Sequence, residues 1–379
     1  MYLFNTRRKH VAGGTITKRS IATAVVTGIS NSYAYTGEAI APTPTVRLGD
    51  TLLAANEDYT VAYSDNTAIG MATVTITGKG NYYGTAVKTF YITAASAGWA
   101  DFEFTDLGDA VASAALKDTG AVYESNKNLD AYHIQVLPDG RIHFGAQLQG
   151  HAYIWGFEAE HPFDIAHFKS TYDSRSSVVM SFGSSILCND GRSGYYSFLN
   201  GNVGIKPFTL STAYNLSTRS EGSALNIGAS GYAMHMALSA DGTKFFAKPY
   251  GSLADNYFLW QYDLSTPFDV STADRENPTI VNLNTLTGES LTWRDFFFSP
   301  DGRHMVATTG NGLGLVHKFA LSTPWDITTL SRTSYKQVFS ANAVLNAVAV
   351  NNDGTKMILF NRSTAGATEY KFHEYNLTT

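Results

Sequence analysis

The chain repeats itself, and the repeat limits what it can fold into. Nine residues, YDLSTPFDV at 262–270, return as FALSTPWDI at 319–327. Asp-Gly pairs recur at 139–140, 190–191, 241–242, 301–302 and 353–354, at intervals of 51, 51, 60 and 52 residues. Each pair follows an apolar run (YHIQVLP, SSILCN, MHMALSA, DFFFSP, LNAVAVNN) and precedes another (RIHFGA, GYYSFL, KFFAKP, HMVATT, KMILFN). Asp-Gly between two strand-like runs is the strongest short-range hairpin signal, because tight hairpin turns need the positive φ that glycine adopts without strain. A catalytic motif is needed once in a chain, whereas one written five times serves a structural unit.

A third strand in each unit leads into the nine-residue sentence. Down the units this reads AYIWGFEAEHPFDI, VGIKPFTLSTAYNL, YFLWQYDLSTPFDV, GLVHKFALSTPWDI and YKFHEYNLTT. One column is aromatic throughout: Phe157, Phe208, Tyr262, Phe319 and Tyr375. A second holds Phe163, Tyr214, Phe268 and Trp325, and a third Asp164, Asn215, Asp269 and Asp326, residue types that cap turns with their side chains. A fourth strand follows in SVVMSF, TIVNLN and KQVFSA. Five units of four strands predict an all-β, five-bladed β-propeller over 99–379. The last unit stops after its third strand, so the apolar segment ADFEFTD at 100–106 is expected to supply the missing strand and leave no open edge.

These units resemble the widespread S-x-D-G-x-x propeller repeats, and most closely the Y-x-L-S-T-P-W-D-I blades of phage virion proteins. The resemblance covers about 240 residues. It implies a displayed structural module rather than a catalyst.

Residues 20–94 form a separate alternating region with turn signals at SDNT, GKGN and NYYG. Six or seven short strands in this span predict a small two-sheet sandwich. The segments YTGEAIAPTPTV, NEDYTVAYSDNTAIGMATVTITGKGNYYGT and KTFYIT resemble a bacterial immunoglobulin-like domain. Tyr35, Gly37, Pro42, Asp58, Tyr59, Tyr63, Asn66, Gly70, Gly78, Gly80, Asn81, Tyr82 and Gly84 carry that match. The resemblance implies presentation or adhesion. Residues 95–98 then form a linker of small residues.

Composition narrows the classes. Charged residues are 16% and aromatics 13%, which suits half-buried strands. The net charge of −5 gives no nucleic-acid footprint, and no apolar run of about 20 residues is present to span a membrane. Cys188, the single cysteine, lies in the apolar run SSILC and reads as a small buried hydrophobe. Arg7, Arg8, Lys9, Lys18 and Arg19 precede the first acid, Glu38, so residues 1–19 read either as a solvated tail or as a basic docking arm. No apolar stretch follows Arg7 and Arg8, so no secretion signal is expected.

Candidate chemistry is sparse. Five-bladed propellers include glycoside hydrolases, which use unrepeated acids on innermost strands. Here Asp139, Asp190, Asp241, Asp301 and Asp353 sit in repeated turns, while Asp130, Glu158, Glu160, Asp255 and Asp295 are unrepeated and lie in no family motif. His143, His151, His161 and His167 match no zinc spacing. No D-x-D-x-D-G calcium loop occurs. A column of Trp155, Lys206, Trp260, His317 and His373 shares one strand face, two residues before the aromatic column. It reads as packing between blades or as an aromatic and basic platform for a glycan.

The expectation from sequence is a non-enzymatic bacteriophage virion structural protein, located on the particle surface at tail or head. It would attach to a host-surface glycan or protein and dock other virion proteins through its arm. It would need no metal or cofactor, touch neither nucleic acid nor membrane, and be oligomeric in the particle. The alternatives are a bacterial surface adhesin and a glycan-cleaving propeller.

Overall fold

The computed structural model describes residues 17–30, 32–68, 70–93, 97–104, 112–115, 130–137, 142–148, 151–157, 174–178, 184–188, 191–199, 203–212, 215–227, 232–250, 257–310, 312–339, 343–363 and 370–377. Among them, 130–377 supply the strands of five four-stranded antiparallel sheets, the last completed by a strand from 112–115. Blade 1 comprises Asp130–Val136, Ile142–Leu148, His151–Phe157 and Ser174–Val178. Blade 2 comprises Ser185–Leu187, Ser193–Leu199, Val203–Leu210 and Arg219–Glu221. Blade 3 follows with Tyr232–Leu238, Lys244–Tyr250, Phe258–Asp263 and Thr279–Asn282. Blade 4 is Trp293–Phe298, His304–Thr309, Leu315–Leu321 and Leu330–Gln337. Blade 5 takes Ala343–Val350, Lys356–Ser363 and Tyr370–Asn376 from the end of the chain. The first strands of neighbouring blades touch in the order 2, 3, 4, 5, 1, and that of blade 1 also meets those of blades 3 and 4 across the middle. This is a β-propeller with a filled axis.

In blades 3 and 4 the repeated motifs make a joint of one design. In blades 3 and 4 the hydroxyls of Ser239 and Ser299 donate to Asp241 and Asp301 at 2.7 and 2.6 Å. The same carboxylates accept the backbone N–H of Thr243 and Arg303, closing the hairpin. The glycines that follow, Gly242 and Gly302, have φ of +69°. Each is covered by the aromatic ring of the nine-residue sentence: a Cβ on Gly242 would enter the ring of Phe268, and one on Gly302 the ring of Trp325. Phe268 and Trp325 donate their backbone N–H to Gly242 and Gly302 at 2.8 and 3.0 Å. Both aromatics take positive φ, +63° and +61°, a conformation that costs a bulky residue about 1–3 kcal/mol. Asp269 and Asp326 then cap a short 3-10 turn through the N–H of Ser271 and Thr328. Asp241, Asp301 and Asp353 thus hold their turns together, while Asp139 and Asp190 lie outside the described residues.

Ring closure differs in detail from the expectation for 100–106. The fourth strand of blade 5 is Ala112–Ala115, which pairs with the last strand through Ala112↔Glu374 and Ala115↔Lys371. Residues 97–101 instead form a short helix, and Trp99, Phe102 and Phe104 are fully buried in the core between blades 4 and 5. Trp99 takes the place in blade 5 that Phe268 and Trp325 hold in their own blades. Its backbone and ring edge lie where a Cβ on Gly354 would go, Gly98 N–H donates to Asp353 at 3.0 Å, and its indole N–H donates to the Asn351 carbonyl at 3.2 Å. The side chain of Lys318, buried against the Phe102 ring, donates to the Phe102 carbonyl. In blade 5 the segment before the blades supplies both the aromatic seal and the edge strand.

Residues 19–93 form a smaller β unit. A four-stranded sheet (Ser32–Ala34, Thr85–Thr93, Gly70–Gly78, Tyr59–Ser64) and a three-stranded sheet (Val25–Thr27, Thr45–Leu48, Thr51–Leu52) share one core of Ile21, Val46, Leu48, Tyr59, Val74, Ile76, Phe90 and Ile92. Two pairings are parallel, Ser32–Ala34 with Tyr91–Thr93 and Arg19–Ser20 with Tyr82–Tyr83.

Candidate active site

The first strand of each blade lies nearest the axis. Counting six residues back from each turn aspartate gives one position per blade: His133, Ser184, His235, Asp295 and Ala347. All five are buried, at 3%, 0%, 1%, 1% and 0% exposure. In blades 1, 3, 4 and 5 the pairing of the first strand slips beside this position, between Ala131 and His133, Ala233 and His235, Trp293 and Phe296, and Leu345 and Ala347. Such bulges bend a strand and re-aim a side chain. The rows just after the column (Phe296 and Phe298, Val348 and Val350) pack against the preceding blade. By the alternation of a strand, the column faces the next blade and the axis.

Three members of the column meet. The Nδ1 atoms of His133 and His235 each lie 2.9 Å from the same oxygen, Asp295 Oδ1. The rings stand edge to face, 6.1 Å apart. Asp295 is fixed on every side: its Oδ1 accepts the N–H of Phe296, its Oδ2 accepts the N–H of Val348, both at 2.9 Å, and its own N–H donates to the Thr308 hydroxyl. Asp295 thus joins blade 4 to blade 5 and reaches His133 of blade 1 and His235 of blade 3. Burial alone would push the Asp295 carboxyl up, but the two imidazoles beside it outweigh that and hold it below its ordinary range. The surroundings of this buried carboxyl therefore favour its ionised form.

The histidines differ. His133 lies within hydrogen-bond geometry of Asp295, so its neutral form donates Nδ1–H and leaves Nε2 bare. Burial pushes His235 down to about 4, against the pull of Asp295. Neither of its nitrogens makes an aligned hydrogen bond, although Nδ1 is as close to Oδ1 as that of His133. Beside the cluster stands Lys248, 2% exposed and paired in register with His235. Burial, with Arg294 adding and Asp295 opposing, pushes its amine down to about 7. Among the described residues this is the one group of three or more His, Cys, Asp or Glu side chains close enough to share a metal ion, their ligand atoms all within 4.8 Å.

The residues singled out from sequence are placed as follows. Lys206 pairs with Glu221 at 2.5 Å near the surface. Trp260 is half-buried against the core of blades 2 and 3 and stacks on Tyr262. His317 is fully buried, 4.7 Å from Trp293 and stacked at 5.4 Å on Tyr335. His373 contacts Phe339 at 4.8 Å and Asn361 at 3.2 Å. Trp155 occupies the equivalent strand position, opposite Phe144, with its side chain outside the described residues. Trp260, His317 and His373 therefore pack on neighbouring rings, Lys206 does not, and His317 offers no face to solvent. Lys18 and Arg19 are exposed, with Arg19 in the first short strand; Arg7, Arg8 and Lys9 lie outside the described residues. So do Glu158, Glu160, Asp255, His161 and His167, and the side chains of Asp130, His143 and His151. Of the unrepeated acids, Asp295 is at the axis. Its partners His133 and His235 emerge from sequence only when the blades are aligned on their turn aspartates and the least repeated column is sought.

No family model matches the chain, and no curated protein matches it. Solved structures similar to it include the periplasmic gluconolactonase of Pseudomonas aeruginosa, at 15% identity over 80% of this chain and 75% of that one, with a TM-score of 0.40. A putative 6-phosphogluconolactonase from Bacteroides uniformis has 12% identity over 85% and 84%, with a TM-score of 0.38. A β-propeller domain from Myceliophteria thermophila has 11% identity over 85% and 93%, with a TM-score of 0.36. At these values the likeness assigns no activity to this chain. It does correct the expectation of a non-enzymatic virion protein on a particle surface, since the similar structures include lactonases, one of them periplasmic. The physical reason lies at the axis. Repetition argues for scaffold, but the repeat fails at the one column that gathers a buried carboxylate and two imidazoles.

Proposed function

We propose that the propeller is a hydrolytic enzyme whose reaction centre is the axial cluster of His133, His235 and Asp295. One observation carries this reading: a single buried carboxylate oxygen stands 2.9 Å from imidazole nitrogens of two other blades. Burying such groups costs several kcal/mol that an apolar axis would not incur. An ionised carboxylate that accepts Nδ1–H fixes the tautomer of an imidazole and raises the basicity of Nε2, which is how water is activated toward an acyl carbon. Lys248 stands beside the cluster, where its ammonium form would offset negative charge that develops on the acyl oxygen. The smaller N-terminal unit is read as an immunoglobulin-like presentation module, a reading supported by its two sheets over one core.

The test is turnover of a panel of carboxylic esters and lactones by the full chain, with His133→Gln, His235→Gln and Asp295→Asn as variants. The expected result is hydrolysis that falls about 100- to 10,000-fold in each variant while far-UV circular dichroism is kept. A chain that turns over none of the panel, or variants that keep its rate, would overturn the reading.

A further inference from the structure

We infer that the axial cluster is a site for one divalent transition-metal ion, held by Nδ1 of His133, Nδ1 of His235 and a carboxylate oxygen of Asp295. The inference rests on the geometry of the cluster and stands whether or not the chain is a hydrolase. Two imidazoles and one carboxylate make the three-protein-ligand set typical of zinc sites that keep a fourth position for water. Tetrahedral ligands at about 2.0–2.2 Å from zinc lie about 3.3–3.6 Å from each other. The two nitrogens are each 2.9 Å from Oδ1, and all three ligand atoms lie within 4.8 Å, so small side-chain rotations open the space an ion needs.

The orientation of His235 separates a metal site from a hydrogen-bonded relay. Its Nδ1 is at hydrogen-bond distance from Oδ1 yet off the line a hydrogen bond requires, and neither ring nitrogen has another partner. A 1% exposed imidazole with two unpartnered nitrogens is costly if packing is its only task. His133 Nδ1 is aligned with Oδ1 and His235 Nδ1 is not, yet both crowd the same oxygen, so the three ligand atoms converge on a common centre. Asp295 has the outer hydrogen bonds expected of a fixed ligand, from Phe296 N–H to Oδ1 and from Val348 N–H to Oδ2. A metal held there would take the Nδ1 lone pair of each imidazole, leaving both rings in the Nε2–H tautomer, and would supply a fourth position at which bound water is more acidic.

The test strips the purified full chain with a chelator, removes the chelator, and titrates with Co²⁺ and then Zn²⁺ alone. About one Co²⁺ per chain, with the intense visible bands of a four- or five-coordinate ion and displacement by Zn²⁺, is the expected result. His235→Ala and Asp295→Asn should each weaken uptake about 100-fold, while His317→Phe, outside the cluster, should leave it unchanged. If a variant fails to fold, X-ray absorption of the wild-type Co²⁺ form decides, because two imidazoles in the first shell are required. An octahedral, all-oxygen spectrum, or uptake that survives both substitutions, overturns the inference. Hydrolysis without uptake removes the metal site and leaves the reaction; uptake without hydrolysis on any ester or lactone removes the reaction and leaves the site.

Discussion

Replacing Trp99 with alanine tests whether the segment before the blades locks the ring. Trp99 is fully buried, stacks on Phe297 at 6.1 Å with planes 8° apart, meets Phe102 at 5.9 Å, and donates its indole N–H to Asn351. A buried aromatic of this size removes roughly 150–250 Å² from water. At about 25 cal/mol/Å² that is about 4–6 kcal/mol, an upper estimate because the unfolded chain already hides part of it. Large-to-small changes in cores give about 3–5 kcal/mol for tryptophan. The Asn351 carbonyl still accepts the N–H of Gly354, so loss of the indole donor adds only about 0.5 kcal/mol. The expected loss is therefore about 4–6 kcal/mol, a large part of the roughly 5–15 kcal/mol that holds a typical domain together. Urea unfolding followed by far-UV circular dichroism reads it as a lowered midpoint at an unchanged slope. Trp325→Ala is the comparator: it seals the same turn in blade 4, is only partly buried, and belongs to a blade made from one continuous segment. Its loss should be about 2–3 kcal/mol. A Trp99→Ala effect below about 1 kcal/mol, or one no larger than that of Trp325→Ala, would refute the closure argument.

Three further outcomes follow from the joints between and within blades. Gly302→Ala places a methyl group inside the Trp325 ring at a φ of +69°, and should lower the unfolding free energy by about 1–3 kcal/mol; a neutral result in the same urea assay would mean that the aromatic seal is loose. The Tyr195 hydroxyl donates to the Phe268 carbonyl and accepts from Val270 N–H, tying blade 2 to blade 3, so Tyr195→Phe should cost about 1–3 kcal/mol by leaving that N–H unsatisfied. Burial, with the charge of Arg332 adding to it, pushes His317 from its ordinary 6.5 down to about 3. The unfolded chain therefore binds a proton in that range which the folded chain refuses: the stability contributed is complete above about pH 6.5 and is lost as pH falls toward 3. His317→Phe should remove about 2–3 kcal/mol of the difference in stability between pH 7 and pH 4.5, and an unchanged difference would show that His317 is not held neutral.

The blades are legible in the sequence because a hairpin turn is local. Asp-Gly and the flanking apolar runs together specify two strands and their register without help from afar. Ring closure is not local, and there the reading slips. ADFEFTD has the aromatic content of a strand, but Trp99, Phe102 and Phe104 are needed as core filler and as the seal on Gly354. The strand that does close the sheet, Ala112–Ala115, is four small residues with no alternation, and the hydrogen-bonding edge of Tyr370–Asn376 fixes it instead of its own pattern. The positive φ of Phe268 and Trp325 is equally hidden, since nothing in an aromatic residue announces a left-handed backbone.

The axial cluster is hidden for a different reason, which follows from the geometry of a ring. Equivalent positions on the rim of a propeller are far apart, so each blade can carry the same residue, as the turn aspartates do. At the axis, equivalent positions are neighbours. Five carboxylates there would repel, and five imidazoles would crowd, so the column nearest the axis has to diverge even when the rest of the blade is copied. Its five members are one acid, two imidazoles, one hydroxyl and one methyl, all buried. Repetition is evidence of scaffold only for positions where copies do not meet. For the positions where they meet, loss of the repeat is required by packing, and the residues chosen to break it are where a ring can place chemistry it needs once. Asp295, judged alone as an unrepeated acid, carries little information; judged with His133 and His235 at the same count from their turns, it marks the site.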